Sequence, residues 1–369
     1  MATEVTITFR QSIVKHAARA LCLVTVVALS VAAQTQPQLQ TQPPLKSPWD
    51  GQHISPSDIP YICPEVPNLP HDFTTTRYYS DPKSSIIDSQ LKKIYDDSVA
   101  PVRTYSTSLT VAADAYQQNG NLSAAKCVIH SLHVMAGLGV FSGKMGSGQA
   151  YYVQGWNLGS WAIPYLKVRD SGLVSDDDAH EISAWLVKIA EGNRAYYEAK
   201  RSNPAPSDAH NNHLYWAGFA YVGAAVAAND RNLFDWCMDA YREGARDIAA
   251  DGTLPMELGR GQMALHYHLY ALSPMVMLAA FGEANGVDLY AANDYAIKRL
   301  VARCIDGLES PAFFQEKTGV TQVTTPTMES WEISWAQPYL GRYPDPKLAA
   351  LLKQCPELSS LPLGGLPPP

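Results

Sequence analysis

Apolar side chains recur at the spacing of an α-helix along most of this chain. In residues 181–199 they form one stripe with charged side chains elsewhere, and residues 232–250 repeat the pattern until Asp251 and Gly252 end it. Residues 273–286 are apolar on most faces, which is typical of an inner, buried helix. Runs of alternating β-branched residues are scarce. The pattern therefore predicts an all-α fold.

The order of these segments predicts a single helical body. Short turns rich in Gly, Asn or Asp separate successive helical runs, an arrangement typical of stacked antiparallel helical hairpins. No linker-like stretch interrupts residues 81–345, so we expect one catalytic domain over residues 61–360. The last segment, residues 361–369, is rich in Pro and Gly and is predicted to be a flexible tail.

The start of the chain has the features of an export signal. Residues 1–33 contain a basic region, an apolar run too short to span a bilayer and a small-residue cleavage site ending at Ala33. The basic residues are Arg10, Lys15 and Arg19. Residues 34–60 are rich in Pro and Gln and are predicted to form a disordered linker and leading segment. We therefore expect a periplasmic or secreted protein.

The charge balance argues against binding to nucleic acid or to a membrane surface. The chain carries 28 Lys and Arg against 35 Asp and Glu, and residues 1–33 account for three of the basic residues and one of the acidic ones. The remaining 25 basic and 34 acidic residues give a net charge of −9. A polyanion must therefore bind in a local basic cleft. No segment after the signal is predicted to span a membrane.

The cysteines fit an exported protein. Five remain after residue 33, and none has CxxC spacing, so neither a zinc site nor a thioredoxin-type pair is expected. The odd number leaves at least one thiol unpaired. A disulfide between Cys63, in an extended Pro-rich segment, and Cys127, in a helical one, would pin the leading segment to the body and contribute about 4 kcal/mol. The alternative is that all five are reduced and buried.

Residues 211–216, Asn-Asn-His-Leu-Tyr-Trp, form the first candidate site. Pro204 and Pro206 exclude a regular helix at residues 204–206, and several good N-cap residues follow. A helix is therefore predicted to begin within residues 207–212 and to run toward Ala228. Its first turn would offer free N–H groups and the positive end of the helix dipole to an anion. Taken alone, the segment is explained as well by capping and packing.

Arg260 and Tyr267 make a functional role for Asn212 and His213 the better explanation. On one continuous helix, Arg260 and Tyr267 would share a face about 10 Å apart along the axis, so that both could reach one sugar unit. An amide, an imidazole, a guanidinium and a phenol suit one chemistry. They can neutralise a carboxylate, remove the acidified proton beside it and protonate a leaving oxygen. That chemistry is β-elimination on a polyuronic acid.

No cofactor or metal is expected. The sequence contains no HExxH, no GxSxG, no P-loop and no dinucleotide-binding fingerprint. His266 and His268 flank Tyr267, but residues two apart on a helix point to different faces. They are therefore not predicted to chelate a metal together.

The ordered set of motifs resembles the alginate lyases of polysaccharide lyase family 5. The motifs are Asn-Asn-His-x-Tyr-Trp from residue 211, Asn-Leu-Phe-Asp-Trp from 232, Asp-Gly-Thr-Leu-Pro from 251, Arg-Gly-Gln-x-Ala-Leu-x-Tyr-His from 260 and Glu-Lys-Thr-Gly from 316. The resemblance extends from about residue 63 to about residue 339. It implies an incomplete (α/α) toroid of helical hairpins around a deep cleft. It also implies cleavage of alginate, with a preference for poly-β-D-mannuronate.

The resemblance implies roles for individual side chains as well. Asn212 and Arg260 would hold the uronate carboxylate, while His213 and Tyr267 would transfer protons. The anionic polysaccharide is also expected to contact a further set of residues, with Trp216 as a stacking wall. This set is Arg77, Tyr78, Trp156, Asn211, Tyr215, Trp216 and His268.

Two assignments of the proton transfers are open. Tyr267 can serve as both base and acid if its ordinary pKa of about 10 falls by about 2–3, to which Arg260 and a protonated His213 would contribute. Alternatively, neutral His213 removes the C5 proton and Tyr267 protonates the leaving oxygen.

Other functions fit parts of the pattern. A lyase for another polyuronate, such as glucuronan, would need the same four groups. A glycoside hydrolase on a similar toroid would need two opposed carboxylates, for which Asp208 and Glu257 are the candidates. A non-catalytic polysaccharide-binding protein would have no use for His213 together with Tyr267. In each case we expect a monomer.

Overall fold

The computed structural model describes residues 42–369, and residues 44–369 form one compact unit. The regular elements in this part of the chain are helices, joined by a few isolated β-bridges. The long helices are α1 (Ser89–Asn119), α2 (Leu122–Gly137), α3 (Gly148–Val168), α4 (Asp176–Arg201), α5 (Asn212–Ala228), α6 (Arg231–Asp247), α8 (Ala264–Ala284) and α9 (Ala292–Glu309). The short helices are α7 (Pro255–Leu258), α10 (Ala312–Thr318), α11 (Ser330–Ile333), α12 (Ala336–Arg342) and α13 (Pro346–Leu352).

The long helices pack as hairpins in two layers. Helix α1 pairs with α2, α3 with α4, α5 with α6, and α8 with α9. The first members form an inner series in which α1 packs on α3, α3 on α5, and α5 on α8, while α2 packs on α4 and α6 on α9 outside them. Within the described residues, α8 does not pack extensively against α1, so the series stays open. The predicted incomplete (α/α) toroid is confirmed.

Burial follows the hydrophobic pattern of each layer. Inner helices α5 and α8 are buried on nearly all sides, as predicted for residues 273–286, although α8 begins nine residues earlier, at Ala264. Outer helix α6 buries one stripe and exposes Arg246 and Asp247 in its last turn. Helix α4 begins at a capping box formed by Ser175 and Asp178. Because the inner helices are buried on nearly all sides, few of their side chains are free to face a cleft.

Both ends of the compact unit are more ordered than predicted. Residues 1–41, including the predicted signal, lie outside the described residues. The predicted disordered segment, however, packs from Leu45 onward, where Leu45 and Trp49 are buried and the Leu45 N–H donates to Asn229 Oδ1 at 2.8 Å. The predicted flexible tail is also docked, because Asp114 accepts a hydrogen bond from the Leu366 N–H and Leu363 is buried. Both predictions rested on composition, which was rich in Pro and Gln at the start and in Pro and Gly at the end. Composition did not reveal the apolar side chains that anchor these segments.

The Cys63–Cys127 pair forms a disulfide with its Cα atoms 5.4 Å apart, as the sequence suggested. It ties the extended leading segment to α2. The other cysteines after residue 33 are free and buried: Cys237, Cys304 and Cys355. Within the described residues, Gly261–Ala284 is long and apolar enough to cross a membrane, contrary to the sequence-based expectation, but 83% of its 18-residue apolar window is buried inside the protein.

Candidate active site

The N-terminus of α5 sets the orientation of His213. Asn211 caps the helix, and its side-chain Oδ1 lies 3.0 Å from the His213 backbone nitrogen and 2.9 Å from the ring Nδ1. Because the backbone N–H can only donate, this Asn211 atom is an acceptor, and Nδ1 therefore carries the ring hydrogen. The opposite nitrogen, Nε2, has a lone pair that can accept a proton. Asn211, predicted to contact substrate, also positions His213.

The His213 ring is uncharged at neutral pH. Burial, reinforced by the charge of Arg260, lowers its pKa from 6.5 to about 3, although part of the side chain remains accessible. The Tyr152 ring covers one face of the imidazole, with 4.0 Å between the ring centroids. The Tyr152 hydroxyl in turn donates to Asp208 at 2.7 Å. A neutral imidazole held in this way is suited to remove a proton.

Arg260 and Tyr267 lie together, but not on one continuous helix as predicted. Gly261 adopts a left-handed conformation with a φ of 61°, residues Gly261–Met263 form a 3-10 turn, and α8 begins only at Ala264. Glycine tolerates this conformation because it has no Cβ. The guanidinium nevertheless lies over the phenol, with 4.3 Å between its Cζ and the ring centroid.

A loop before α1 covers these two residues. The Tyr267 hydroxyl donates to the Tyr79 hydroxyl at 3.1 Å, and Arg260 Nη1 donates to the carbonyl oxygen of Lys83 at 3.3 Å. Gln262 Nε2 donates to another carbonyl of the same loop at 2.7 Å. Residues 79–85 therefore form one wall of the site.

The Tyr267 phenol is protonated at neutral pH. Burial raises its pKa from 10.0 to about 12, and the opposing effects of the Tyr79 hydrogen bond and the Arg260 charge do not offset it. The assignment of Tyr267 as both base and acid needs a lowered pKa and a protonated His213, and the structure has neither. The two pKa shifts favour the other assignment, with His213 as base and Tyr267 as acid.

Asn212 is held by Glu257. The backbone N–H and the side-chain Nδ2 of Asn212 both donate to Glu257 Oε1 at 2.9 Å, and Asn212 is fully buried. Glu257 Oε2 lies 3.5 Å from Arg260 Nε. Burial raises the pKa of Glu257, while Arg260 and Asn212 oppose the rise. The predicted contact of Asn212 with a substrate carboxylate can therefore use only the second N–H of its amide.

Three residues predicted to contact the polysaccharide lie in the interior instead. Tyr215 is 1% exposed, Trp216 is 4% exposed and His268 is fully buried. The Trp216 indole N–H donates to the carbonyl oxygen of Tyr270 at 2.9 Å, and His268 Nε2 accepts the Leu254 N–H at 2.9 Å. Because other helices surround α5 and α8, most of their side chains enter packing layers. Their contact with the polysaccharide stays a prediction, and the observed burial favours packing roles for these three side chains.

The remaining predicted contacts lie nearer to the cleft. Arg77 braces its own loop, donating from Nε to the Tyr79 carbonyl at 3.0 Å and from Nη2 to the Asp81 carbonyl at 2.6 Å. Tyr78 packs on Tyr79 with 4.6 Å between the ring centroids. Trp156, on α3, is partly exposed and can face a ligand.

The structure adds Tyr79, Tyr152 and Glu257 to the site in roles that the sequence did not assign to them. Glu257 could have been found, because it lies three residues before Arg260, the spacing of an ion pair within a helical turn. Tyr79 is 188 residues from its partner Tyr267, and no local pattern links them.

The two carboxylates considered for a hydrolase both accept hydrogen bonds from other groups of the protein. Asp208 accepts hydrogen bonds from the hydroxyls of Tyr152 and Tyr196 and from Lys200, and despite its burial these bonds lower its pKa. Glu257 is 1% exposed and is bound to Asn212. A hydrolase needs one of its two carboxyl groups open to the sugar as an acid. Residues 42–369 contain no group of three or more His, Cys, Asp or Glu side chains placed to hold a metal.

Comparison with known proteins gives consistent matches. Residues 72–314 match the family model described as alginate lyase. A polysaccharide lyase from Stenotrophomonas maltophilia is 36% identical over 286 residues, covering 77% of this chain and 82% of that protein. An alginate lyase from Pseudomonas fluorescens is 32% identical over 268 residues, covering 72% and 71%.

Solved structures share the fold at lower sequence identity. A His-to-Ala variant of alginate lyase A1-III, complexed with a tetrasaccharide, aligns with a TM-score of 0.70 and 19% identity, covering 90% of this chain and 88% of that one. The structure of alginate lyase A1-III from Sphingomonas species A1 aligns with a TM-score of 0.66 and 19% identity, covering 90% of each chain.

Proposed function

Because the chain belongs to the alginate lyase family, we propose that it cleaves alginate by β-elimination. The reaction breaks the C4–O glycosidic bond and leaves a 4,5-unsaturated uronate. The observation that carries this proposal is a neutral His213 near Arg260, whose guanidinium lies over the protonated Tyr267. A base, a cation for the carboxylate and an acid are the groups that elimination needs.

Arg260 and the free N–H of Asn212 bind the uronate carboxylate. While that carboxylate carries its full charge, the C5 proton beside it is only weakly acidic. Hydrogen bonds from the two side chains offset the charge and stabilise the dianion that forms as the proton leaves. Loss of one donor at such a site costs about 3–4 kcal/mol of transition-state stabilisation.

His213 and Tyr267 then move the protons. Nε2 of His213 takes the C5 proton, and the electron pair of the C5–H bond forms the C4–C5 double bond. The C4–O bond breaks, and Tyr267 donates its hydroxyl proton to the leaving oxygen. Return of one proton from the imidazolium to the phenolate restores both residues.

The preferred substrate is poly-β-D-mannuronate. In mannuronate the C5 hydrogen and the C4 oxygen lie on the same face of the ring, so the base and the acid can act from one side. His213 and Tyr267 both lie near Arg260, the group assigned to the C5 carboxylate. Guluronate, the C5 epimer of mannuronate, has the two groups on opposite faces and would need the acid and base on opposite sides.

Incubation with poly-mannuronate, poly-guluronate and glucuronan tests the proposal. The double bond conjugated with the carboxylate absorbs in the ultraviolet, and hydrolysis produces no such chromophore. We expect the absorbance to rise fastest with poly-mannuronate. Shorter products without the chromophore would instead indicate a hydrolase, and binding without products would indicate a non-catalytic protein.

We also propose that the protein is exported after cleavage following Ala33 and acts as a monomer. The basic and apolar pattern of residues 1–33 supports export. N-terminal sequencing of protein recovered from the periplasm or the medium should begin at Gln34. Light scattering of that protein should give the mass of one chain.

A further inference from the structure

One buried carboxylate, that of Glu257, joins the two groups assigned to the substrate carboxylate. Its Oε1 accepts the backbone N–H and the side-chain N–H of Asn212, both at 2.9 Å. Its Oε2 lies 3.5 Å from Arg260 Nε. Asn212 begins α5 and Glu257 lies on the short helix α7, so this carboxylate links two separate elements of the site.

The contact determines which end of the Asn212 amide faces Glu257. The oxygen and nitrogen of an amide have nearly the same shape, but an ionised carboxylate only accepts hydrogen bonds. The NH₂ group of Asn212 must therefore turn toward Glu257, which takes one of its two N–H groups and leaves the second without a contact to that carboxylate. The Asn212 Oδ1 is buried without a hydrogen-bond partner in the described structure. That unfavourable position is consistent with an amide held by its NH₂ end.

The same carboxylate restrains Arg260. The Nε edge of the guanidinium faces Glu257, Nη1 donates to the Lys83 carbonyl oxygen, and the Tyr267 ring lies under the plane. Among the described contacts, Nη2 has no protein acceptor. Three sides of the guanidinium are thus occupied, and its remaining edge is the one that can meet a carboxylate.

We infer that Glu257 is a positioning residue, which aligns the amide of Asn212 and the guanidinium of Arg260 so that both donate to the uronate carboxylate in the transition state. The inference rests on the proposed elimination. Glu257 is 1% exposed and bound to protein groups through Oε1, so it does not act on the sugar itself. Glu257 therefore contributes to the reaction through the two donors, Asn212 and Arg260.

The test uses Glu257→Gln, which preserves the shape and one acceptor oxygen but removes the charge. Glu332→Gln is the matched control, because Glu332 is 6% exposed and accepts a backbone N–H from Glu329 at 2.9 Å in the same fold. For Glu257→Gln we expect kcat on poly-mannuronate to fall at least about 10-fold while KM changes less than about 3-fold, the signature of an interaction realised in the transition state. The control should keep kcat within about 2-fold of wild type.

A double-mutant cycle with Asn212→Ala separates positioning from general damage. If Glu257 acts through Asn212, the loss in the double variant should be at least about 5-fold smaller than the product of the two single losses. Losses that multiply, or a wild-type kcat in Glu257→Gln, would overturn the inference. Should Glu257→Gln fail to fold, Glu257→Asp, which keeps the charge on a shorter side chain, enters the same cycle. Absence of elimination by the wild-type protein would instead remove the proposed function.

Discussion

The hydroxyl of Tyr267 lies 3.1 Å from the hydroxyl of Tyr79, although 188 residues separate them in the chain. Tyr267 lies in the first turn of the inner helix α8, whereas Tyr79 belongs to the loop before α1. The contact therefore couples the position of this loop to the candidate acid. Burial beneath the loop also contributes to the raised pKa of Tyr267, whereas the hydrogen bond itself lowers that pKa.

Replacement of Tyr79 by Phe should weaken Tyr267 as an acid. Without the Tyr79 hydroxyl, the phenolate that remains after proton donation loses a hydrogen bond, and the pKa of Tyr267 rises further. Loss of about 1 kcal/mol predicts a kcat about 5-fold lower, measured as the initial rate of ultraviolet absorbance on poly-mannuronate. Tyr295→Phe, an exposed position on α9, serves as the control. An unchanged kcat in Tyr79→Phe would show that the contact has no role in turnover.

Asn211 offers a test of the base. His213 must be neutral to accept a proton, so activity is lost as the pH falls through its pKa, which lies at about 3 in the wild type. In Asn211→Asp, a carboxylate beside Nδ1 favours the charged imidazolium. The acidic limb of the profile of kcat/KM against pH should therefore move upward by at least about one pH unit. If His213 is not the base, the acidic limb should stay where it is in the wild type.

His268 should contribute to acid sensitivity of the fold, not to substrate binding. Burial lowers its pKa from 6.5 to about 4, so between these values the unfolded chain binds a proton that the folded chain does not. The free energy of unfolding should accordingly fall with decreasing pH, by up to about 1.4 kcal/mol per pH unit from this residue. Urea titrations of His268→Gln at pH 7 and pH 5 should show a smaller difference than the wild type. An equal difference would mean that His268 does not titrate in this way.

A substitution of Trp216 can distinguish a role in packing from a role in stacking on the sugar. Its indole is buried and donates to the Tyr270 carbonyl, so Trp216→Phe should lower the free energy of unfolding by about 1–3 kcal/mol through the lost hydrogen bond and the cavity. KM on poly-mannuronate should stay within about 2-fold of wild type, because the ring is buried in the protein interior. A large rise in KM without loss of stability would restore the stacking role.

The sequence alone predicted the fold class and the start of the helix that carries His213, because both depend on local patterns. A 3.6-residue period indicates α4 and α6 directly, and the cap residues before His213 locate the start of α5. The family-specific motifs add Arg260 and Tyr267 to the candidate site, and the structure brings these two residues together.

Features that depend on distant contacts were predicted less well. A helical spacing suggested one continuous helix from Arg260 to Tyr267, whereas the left-handed Gly261 and the 3-10 turn after it separate Arg260 from α8. Apolar periodicity does not say which face of α5 meets the cleft, and the resemblance that implied a stacking role for Trp216 did not indicate its burial. The pKa of Tyr267 depends on burial created by tertiary structure, including the Tyr79 loop, and its direction was therefore not predictable from residue types.

Tyr267→Phe tests the account most directly, because it removes one hydroxyl and keeps the ring over which Arg260 lies. Two quantities should be measured together: the rate of ultraviolet absorbance on poly-mannuronate and the affinity for a mannuronate oligosaccharide by calorimetry. We predict that kcat falls by about 10²–10⁴-fold, as for loss of a general acid, while the affinity stays within about 3-fold of wild type. A variant that still forms unsaturated product at close to the wild-type rate would contradict the assignment of Tyr267 as the acid.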